Sequence, residues 1–242
     1  MGAVIGVFSP KGGVGKTLLA TNLAVAFGVG QRKRTLLADL NSGLGNADLL
    51  LDLEPERSWE DLLPVLEEIH PHHVELAVTS YRAELDLLCC PRQVNPQRNL
   101  NPDGLTSLLT ALREAYEMIF LDTPPGDEET ARKAFLHADL RLLLITPDAP
   151  ALRGASRFLD SLPSRKKRTG LVINQYLSGA AISPEEVKNH LKNPLFAVLP
   201  IDSAGVWANV SYGDPCVLSK RSPLGKTIRQ LAVRINTCLE SR

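Results

Sequence analysis

Lys11-Gly12-Gly13-Val14-Gly15-Lys16-Thr17 decides how the rest of this sequence is read. It follows directly on Ala3-Val4-Ile5-Gly6-Val7-Phe8, an apolar run of the length of one buried strand, and it opens residues 15–28, which carry helical spacing. Glycines let successive backbone amides turn inward as an anion cradle, and the first turn of the following helix adds partial positive charge. Lys16 is then placed to reach the β- and γ-phosphates of a nucleotide and the Thr17 hydroxyl to bind Mg²⁺, while Gly12, Gly13, Val14, Gly15 and Leu18 complete the phosphate-facing stretch. The competing reading is a glycine-rich turn that merely joins strand to helix. Gly-Lys-Thr at this spacing and in this context argues against it.

Working outward, residues 35–39, 85–89, 118–122, 140–146, 170–174 and 196–199 are short apolar runs followed by turn or cap residues. Between them, residues 58–69, 102–116, 128–137, 152–162, 184–191 and 224–239 carry helical spacing, the first opened by Ser58 with Asp61 three residues on. Strands apolar on both faces, separated by helices, predict an α/β fold: a mostly parallel twisted sheet covered by helices on both faces, in three layers. There is no internal repeat, and the one linker-like stretch is residues 91–102. Residues 1–242 therefore read as a single domain, and 242 residues at 44% hydrophobic composition suffice for a large core.

Lysine and arginine number 27, aspartate and glutamate 27, so the net charge is zero, which disfavours a dominantly electrostatic nucleic-acid binder while leaving room for a local patch. Cys89, Cys90, Cys216 and Cys238 lack the paired spacing of a zinc site and read as free thiols. The opening MGAVIGVFSP lacks the basic stretch of a signal peptide, and the longest uncharged run, residues 17–31, is shorter than the roughly 18 residues of a membrane span. The expectation is a soluble, cytoplasmic chain.

Metal-assisted phosphoryl transfer needs a carboxylate near the metal, usually at the C-terminal end of a neighbouring strand. Asp122 closes Met118-Ile119-Phe120-Leu121 and leads into Thr123-Pro124-Pro125-Gly126; Asp39 closes Thr35-Leu36-Leu37-Ala38. Either alone reads equally as a strand-end cap. Together with the phosphate loop they form a coherent magnesium–nucleotide site.

The general phosphate-loop pattern has glycine where this chain has Pro10, and Lys11 stands next to it. This variant resembles the deviant Walker A motif of the ParA/MinD family of P-loop ATPases, and the resemblance extends from residue 3 to about residue 239. It implies ATP and Mg²⁺ as cofactors, with Thr17, Asp39 and Asp122 around the metal. It implies an ATP-dependent homodimer in which Lys11 reaches across a nucleotide sandwich to the partner's phosphates, much as an arginine finger does. Lys11, Lys16, Asp39 and Asn41 are then the catalytic set. The family's D-x-D segment has a second aspartate where this chain has Asn41, and an amide cannot accept a proton, so slow ATP hydrolysis is expected. Residues 43–49 resemble the switch segment of MinD-like members, with Asp48 the nearest alternative carboxylate. Asn174 matches a family asparagine that reads the adenine edge, and Pro200-Ile201-Asp202 a second base-contacting loop, although ordinary turn chemistry accounts for these residues as well.

Leu51-Asp52-Leu53-Glu54-Pro55, Thr146-Pro147-Asp148-Ala149-Pro150 and Gly213-Asp214-Pro215 followed by Ser222-Pro223-Leu224 look most like the CpaE/TadZ branch, which serves pilus assembly; MinD-type members share many of these features. The implied function is a positioning switch that localises a pilus or division-site machine through a protein partner, at the inner face of the membrane or the cell pole. Two alternatives stand beside it, a hydrolysis-poor nucleotide-bound scaffold and a partition ATPase that holds nonspecific DNA. Arg32-Lys33-Arg34, Arg165-Lys166-Lys167-Arg168 and Lys220-Arg221 are the basic clusters such DNA would use, with a solvated face as the default reading. Leu224, Ile228, Leu231, Ile235 and Leu239 form an apolar stripe that suits a membrane surface or, better, packing on the sheet. His70, His72 and His73 around Pro71 read as an exposed loop rather than a metal site.

Overall fold

The computed structural model of the chain describes residues 1–42, 45–82, 84–93, 100–126, 129–162 and 168–241. Parts of the expected switch segment (residues 43–44), linker (94–99), helix 128–137 (its first residue) and second basic cluster (165–167) lie outside the described residues. In chain order the elements are β1 (Ala3–Phe8), α1 (Lys16–Val25), β2 (Thr35–Asp39), α2 (Pro71–Ala77), β3 (Thr79–Arg82), β4 (Leu85–Leu88), α3 (Pro102–Ala115), β5 (Met118–Asp122) and α4 (Glu129–His137). There follow β6 (Leu140–Ile145), α5 (Ala149–Asp160), β7 (Thr169–Tyr176), α6 (Pro184–Leu191), β8 (Leu195–Pro200), α7 (Ser203–Tyr212) and α8 (Pro223–Glu240).

Side-chain alternation along the strands builds two cores on one sheet. Val4 and Phe8 of β1, Leu36 and Ala38 of β2, and Ile119 and Leu121 of β5 face the layer of α3, α4 and α5. Ile5 and Val7, Leu37, and Met118 and Phe120 face the opposite layer, which holds α1 and α8. Among the described residues the eight strands run in the order β3-β4-β2-β5-β1-β6-β7-β8, all parallel except β3 against β4. The three-layer α/β/α architecture expected from the sequence is the one observed. β1 lies between β5 and β6, where the winding direction of the sheet reverses, and crevices for ligands open at such points beyond the carboxyl ends of the strands.

Several local expectations are corrected. The first helix ends at Val25 and passes into a π-helical turn, Ala26–Gly30. Residues 59–68 form a 3₁₀-helix, because Pro64 inside it lacks the N–H that an α-helical ladder needs. Its capping box is as read: Ser58 N–H donates to Asp61 Oδ2 at 2.8 Å. His72 and His73 sit on α2, not in a loop, with Pro71 in the first turn where its missing N–H costs nothing. The apolar stripe of α8 belongs to the core: Leu224, Ile228, Leu231 and Ile235 are all buried, so it is not available to a membrane. No helix among the described residues is long and apolar enough to cross one. At the sheet margins, β3 is four residues long with a register irregularity between Ser80 and Arg82, and Arg234 Nη1 donates to the Phe196 carbonyl of β8 at 3.1 Å.

Candidate nucleotide-binding site

The parallel register places Asp122 beside Val7 on one side and beside Asp39 on the other. Neighbouring strands lie about 4.8 Å apart, so the two carboxylates stand together at the carboxyl edge of the sheet, and both are fully buried. Asn41, two residues beyond β2, bridges them: its Nδ2 donates to Asp39 Oδ1 at 2.6 Å and to Asp122 Oδ2 at 3.1 Å. Carboxylates only accept, so the amide nitrogen must face them and the carbonyl oxygen must face away. The Thr17 hydroxyl donates to Asp122 Oδ2 at 2.7 Å.

Burial pushes both carboxyls above the usual aspartate range, and Asp39 raises Asp122 further; Thr17, Lys16 and Asn41 act in the opposite sense. Asp122 Oδ1 is buried without a hydrogen-bond partner. An orphaned carboxylate oxygen next to a threonine hydroxyl, with a second carboxylate alongside, is the donor set that a hard divalent cation takes. Thr17, Asp39 and Asp122 thus fit Mg²⁺.

The loop itself is built for an anion. Gly13 and Gly15 have φ of +73° and +93°, and a Cβ on Gly15 would stand 2.6 Å from Asn174 Nδ2. Gly15 is the N-cap of α1; no side chain caps that end and its first turn holds no acidic residue, which leaves the helix N–H groups to a phosphate. Lys16 is buried, and the loss of hydration lowers its pKa while Asp122 opposes that shift.

Beside the loop lies a cavity of about 640 Å³ lined by Gly15, Thr17 and Leu18, by Asn174, Pro200 and Asp202, and by apolar side chains that include Leu49, Val206 and Val210. The residues expected on the base side are therefore brought together with the phosphate loop. Two of them have additional work. Asn174 Nδ2 donates to the Val14 carbonyl at 2.7 Å and braces the loop. Asp202 caps α7 through Gly205 N–H at 2.9 Å and accepts from the Ser222 hydroxyl, and these bonds offset its burial and hold it below the usual carboxylate range.

Lys11 Nζ pairs within its own chain with Asp148 Oδ2 at 2.9 Å, and its side chain is 46% exposed. Asp148 also caps α5 through Ala151 N–H at 2.9 Å and accepts from Thr146. The sequence offers Asp148 only as part of the Thr146–Pro150 pattern; its places as N-cap of α5 and as the partner of Lys11 are seen in the structure alone. Elsewhere, Lys33 Nζ donates to Asn236 Oδ1 at 2.9 Å and Arg34 pairs with Glu75 at 2.8 Å, so these two basic side chains are already engaged.

A strand, a glycine loop and a helix in immediate succession, with carboxylates ending the neighbouring strands, place the molecule in the class of P-loop nucleotide-binding proteins. A family model described as an AAA domain matches residues 2–177. The septum site-determining protein MinD of Helicobacter pylori is 28% identical over 230 residues, covering 90% of this chain and 84% of that protein. MinD of Pyrococcus horikoshii, solved with Mg-ADP, superposes with a TM-score of 0.84 at 24% identity over 99% of this chain and 98% of that one. The MinC:MinD complex of Aquifex aeolicus matches at a TM-score of 0.77 and 28% identity, over 97% of this chain and 96% of that one. The chain belongs to the ParA/MinD family, whose members are ATPases.

Proposed function

We propose that this protein binds Mg²⁺–ATP in residues 1–242 as one domain and, so loaded, pairs with a second copy across the nucleotides to mark a place for a cellular machine. The nucleotide supplies a transferable phosphoryl group and the metal neutralises charge on it. Lys16 and the amides of Gly12 to Thr17 hold the phosphates, Thr17, Asp39 and Asp122 hold the metal, and Asn174, Pro200 and Asp202 border the base. The observation that carries the reading is Lys11: a cation at the mouth of the phosphate loop, half exposed and held in its own chain by a single carboxylate. An ion pair this exposed stabilises little, so exchanging Asp148 for a phosphate on a partner costs little.

Asn41 bears on the rate. With its nitrogen turned to the two carboxylates, it offers an attacking water only a carbonyl oxygen, which orients but takes no proton. Slow hydrolysis and a long-lived dimer follow, and in the limit the protein acts as a nucleotide-held scaffold. The machine it positions is of the division-site or pilus type, reached through a protein partner at the cytoplasmic face of the membrane; the likeness to MinD supports the first and the Thr146–Pro150 pattern the second. A DNA-holding role is less well supported, because Lys33 and Arg34 are engaged internally.

The test is Lys11→Ala. It should bind ATP in calorimetry as the natural chain does, yet sediment as a monomer with ATP where the natural chain sediments as a dimer. A dimer that persists in the variant refutes the role across the interface.

A further inference from the structure

Two asparagines that no step above uses are fully buried and bonded to each other. Asn22, on α1, donates through Nδ2 to Asn209 Oδ1 on α7 at 2.8 Å and to the Leu18 carbonyl at 2.9 Å. Its Oδ1 accepts from Val217 N–H at 2.9 Å, and Asn209 Nδ2 donates to the Leu50 carbonyl at 2.8 Å. The bonds fix both amide orientations, since each carbonyl must meet a nitrogen and the Val217 N–H must meet an oxygen. The bonds join three of the segments that wall the 640 Å³ cavity: Leu18 from α1, Leu49 and Leu50 from the turn that follows Asn41 and Asp48, and Val206 and Val210 from α7. A second contact locks the same pair of walls. Gly213 ends α7 with φ +59°, and a Cβ there would stand 2.6 Å from the Asp52 backbone nitrogen.

We propose that Asn22 and Asn209 are positioning residues that set the width of the base-side cavity and make the turn at Leu49–Leu51 move with α7. Neither lines the cavity itself. They act by holding three walls at fixed separation, in a buried network where each bond left half-made is costly. The inference rests on the reading of this cavity as the base side of the nucleotide site.

The test compares ATP with inorganic tripolyphosphate, which carries the phosphates without the base, by calorimetry on the natural chain and on Asn209→Leu. That variant keeps the branched outline and the count of side-chain heavy atoms, though its methyl groups are bulkier than the amide, and it strands the Leu50 carbonyl and one Asn22 hydrogen. It should bind ATP roughly tenfold more weakly, the equivalent of one buried hydrogen bond, while its affinity for tripolyphosphate is unchanged. A parallel loss for both ligands, or no loss for either, overturns the proposal. Equal affinity of the natural chain for the two ligands would remove the base-side reading and this inference together; a natural preference for ATP that Asn209→Leu retains in full removes this inference alone. Should the variant not fold, hydrogen exchange on the natural chain with AMP decides. Protection rising together in residues 49–53 and 203–213 supports the coupling, and protection confined to α7 or absent from both overturns it.

Discussion

Lys16→Ala should lose ATP binding by a factor on the order of 10² or more, the loss expected when a cation making several charge-assisted hydrogen bonds is deleted. Three features make this the largest effect at the site. Lys16 is buried, so its charge acts with little screening by water. It stands beside Asp122 and partly offsets that buried carboxylate. Nor does Lys11 replace it, since its half-exposed ammonium is screened by water as the buried Lys16 is not. The melting temperature without nucleotide should change little, because the cost of burying the ammonium outweighs its attraction to Asp122. Calorimetry with Mg²⁺–ATP on a folded variant checks both parts, and an unchanged affinity would overturn the assignment of the loop.

Asn41→Asp should raise steady-state ATP hydrolysis by about 10²-fold, at the lower end of what a positioned general base contributes. On the reading proposed above, the substitution would put a proton acceptor in place of an amide, two residues beyond Asp39. It also has a cost that follows from geometry. Asn41 Nδ2 is the donor shared by Asp39 and Asp122, and an aspartate there would set a third carboxylate against two buried ones. The variant should therefore melt below the natural chain without ligand and recover when Mg²⁺ and nucleotide are added, because the metal takes over the neutralising role of the amide. Equal, brisk turnover by both proteins would show that another residue activates the water.

What could be read from the sequence was what the chain states locally. β5 is a run of residues buried on both faces, and residues 118–122 were legible as a strand for that reason. The phosphate loop is equally local, its glycines and lysine falling within seven consecutive residues. β3 was not legible: it is an edge strand with alternating half-exposed residues, and Thr-Ser-Tyr-Arg carries no apolar signal. α2 was hidden by its histidines, which suggest nothing about helix without the Pro71 start and the packing of Val74. In the site, Asp148 and Asn209 escaped because their partners are 137 and 187 residues away in the chain, and no spacing rule reaches so far. Asp202 shows the opposite difficulty. Position suggested a base contact, while its carboxylate is spent on the start of α7 and on Ser222.

The margins of the sheet carry a consequence for how copies of this chain meet. A bare edge strand is a template on which further strands add without limit. Here one margin is a four-residue strand with an interrupted register, and on the other an arginine side chain occupies a strand carbonyl. Neither end of the sheet offers a clean ladder to a neighbour. Open-ended growth by strand addition is thereby disfavoured at both margins, at one by the shortness and broken register of the strand and at the other by a guanidinium already seated on its backbone.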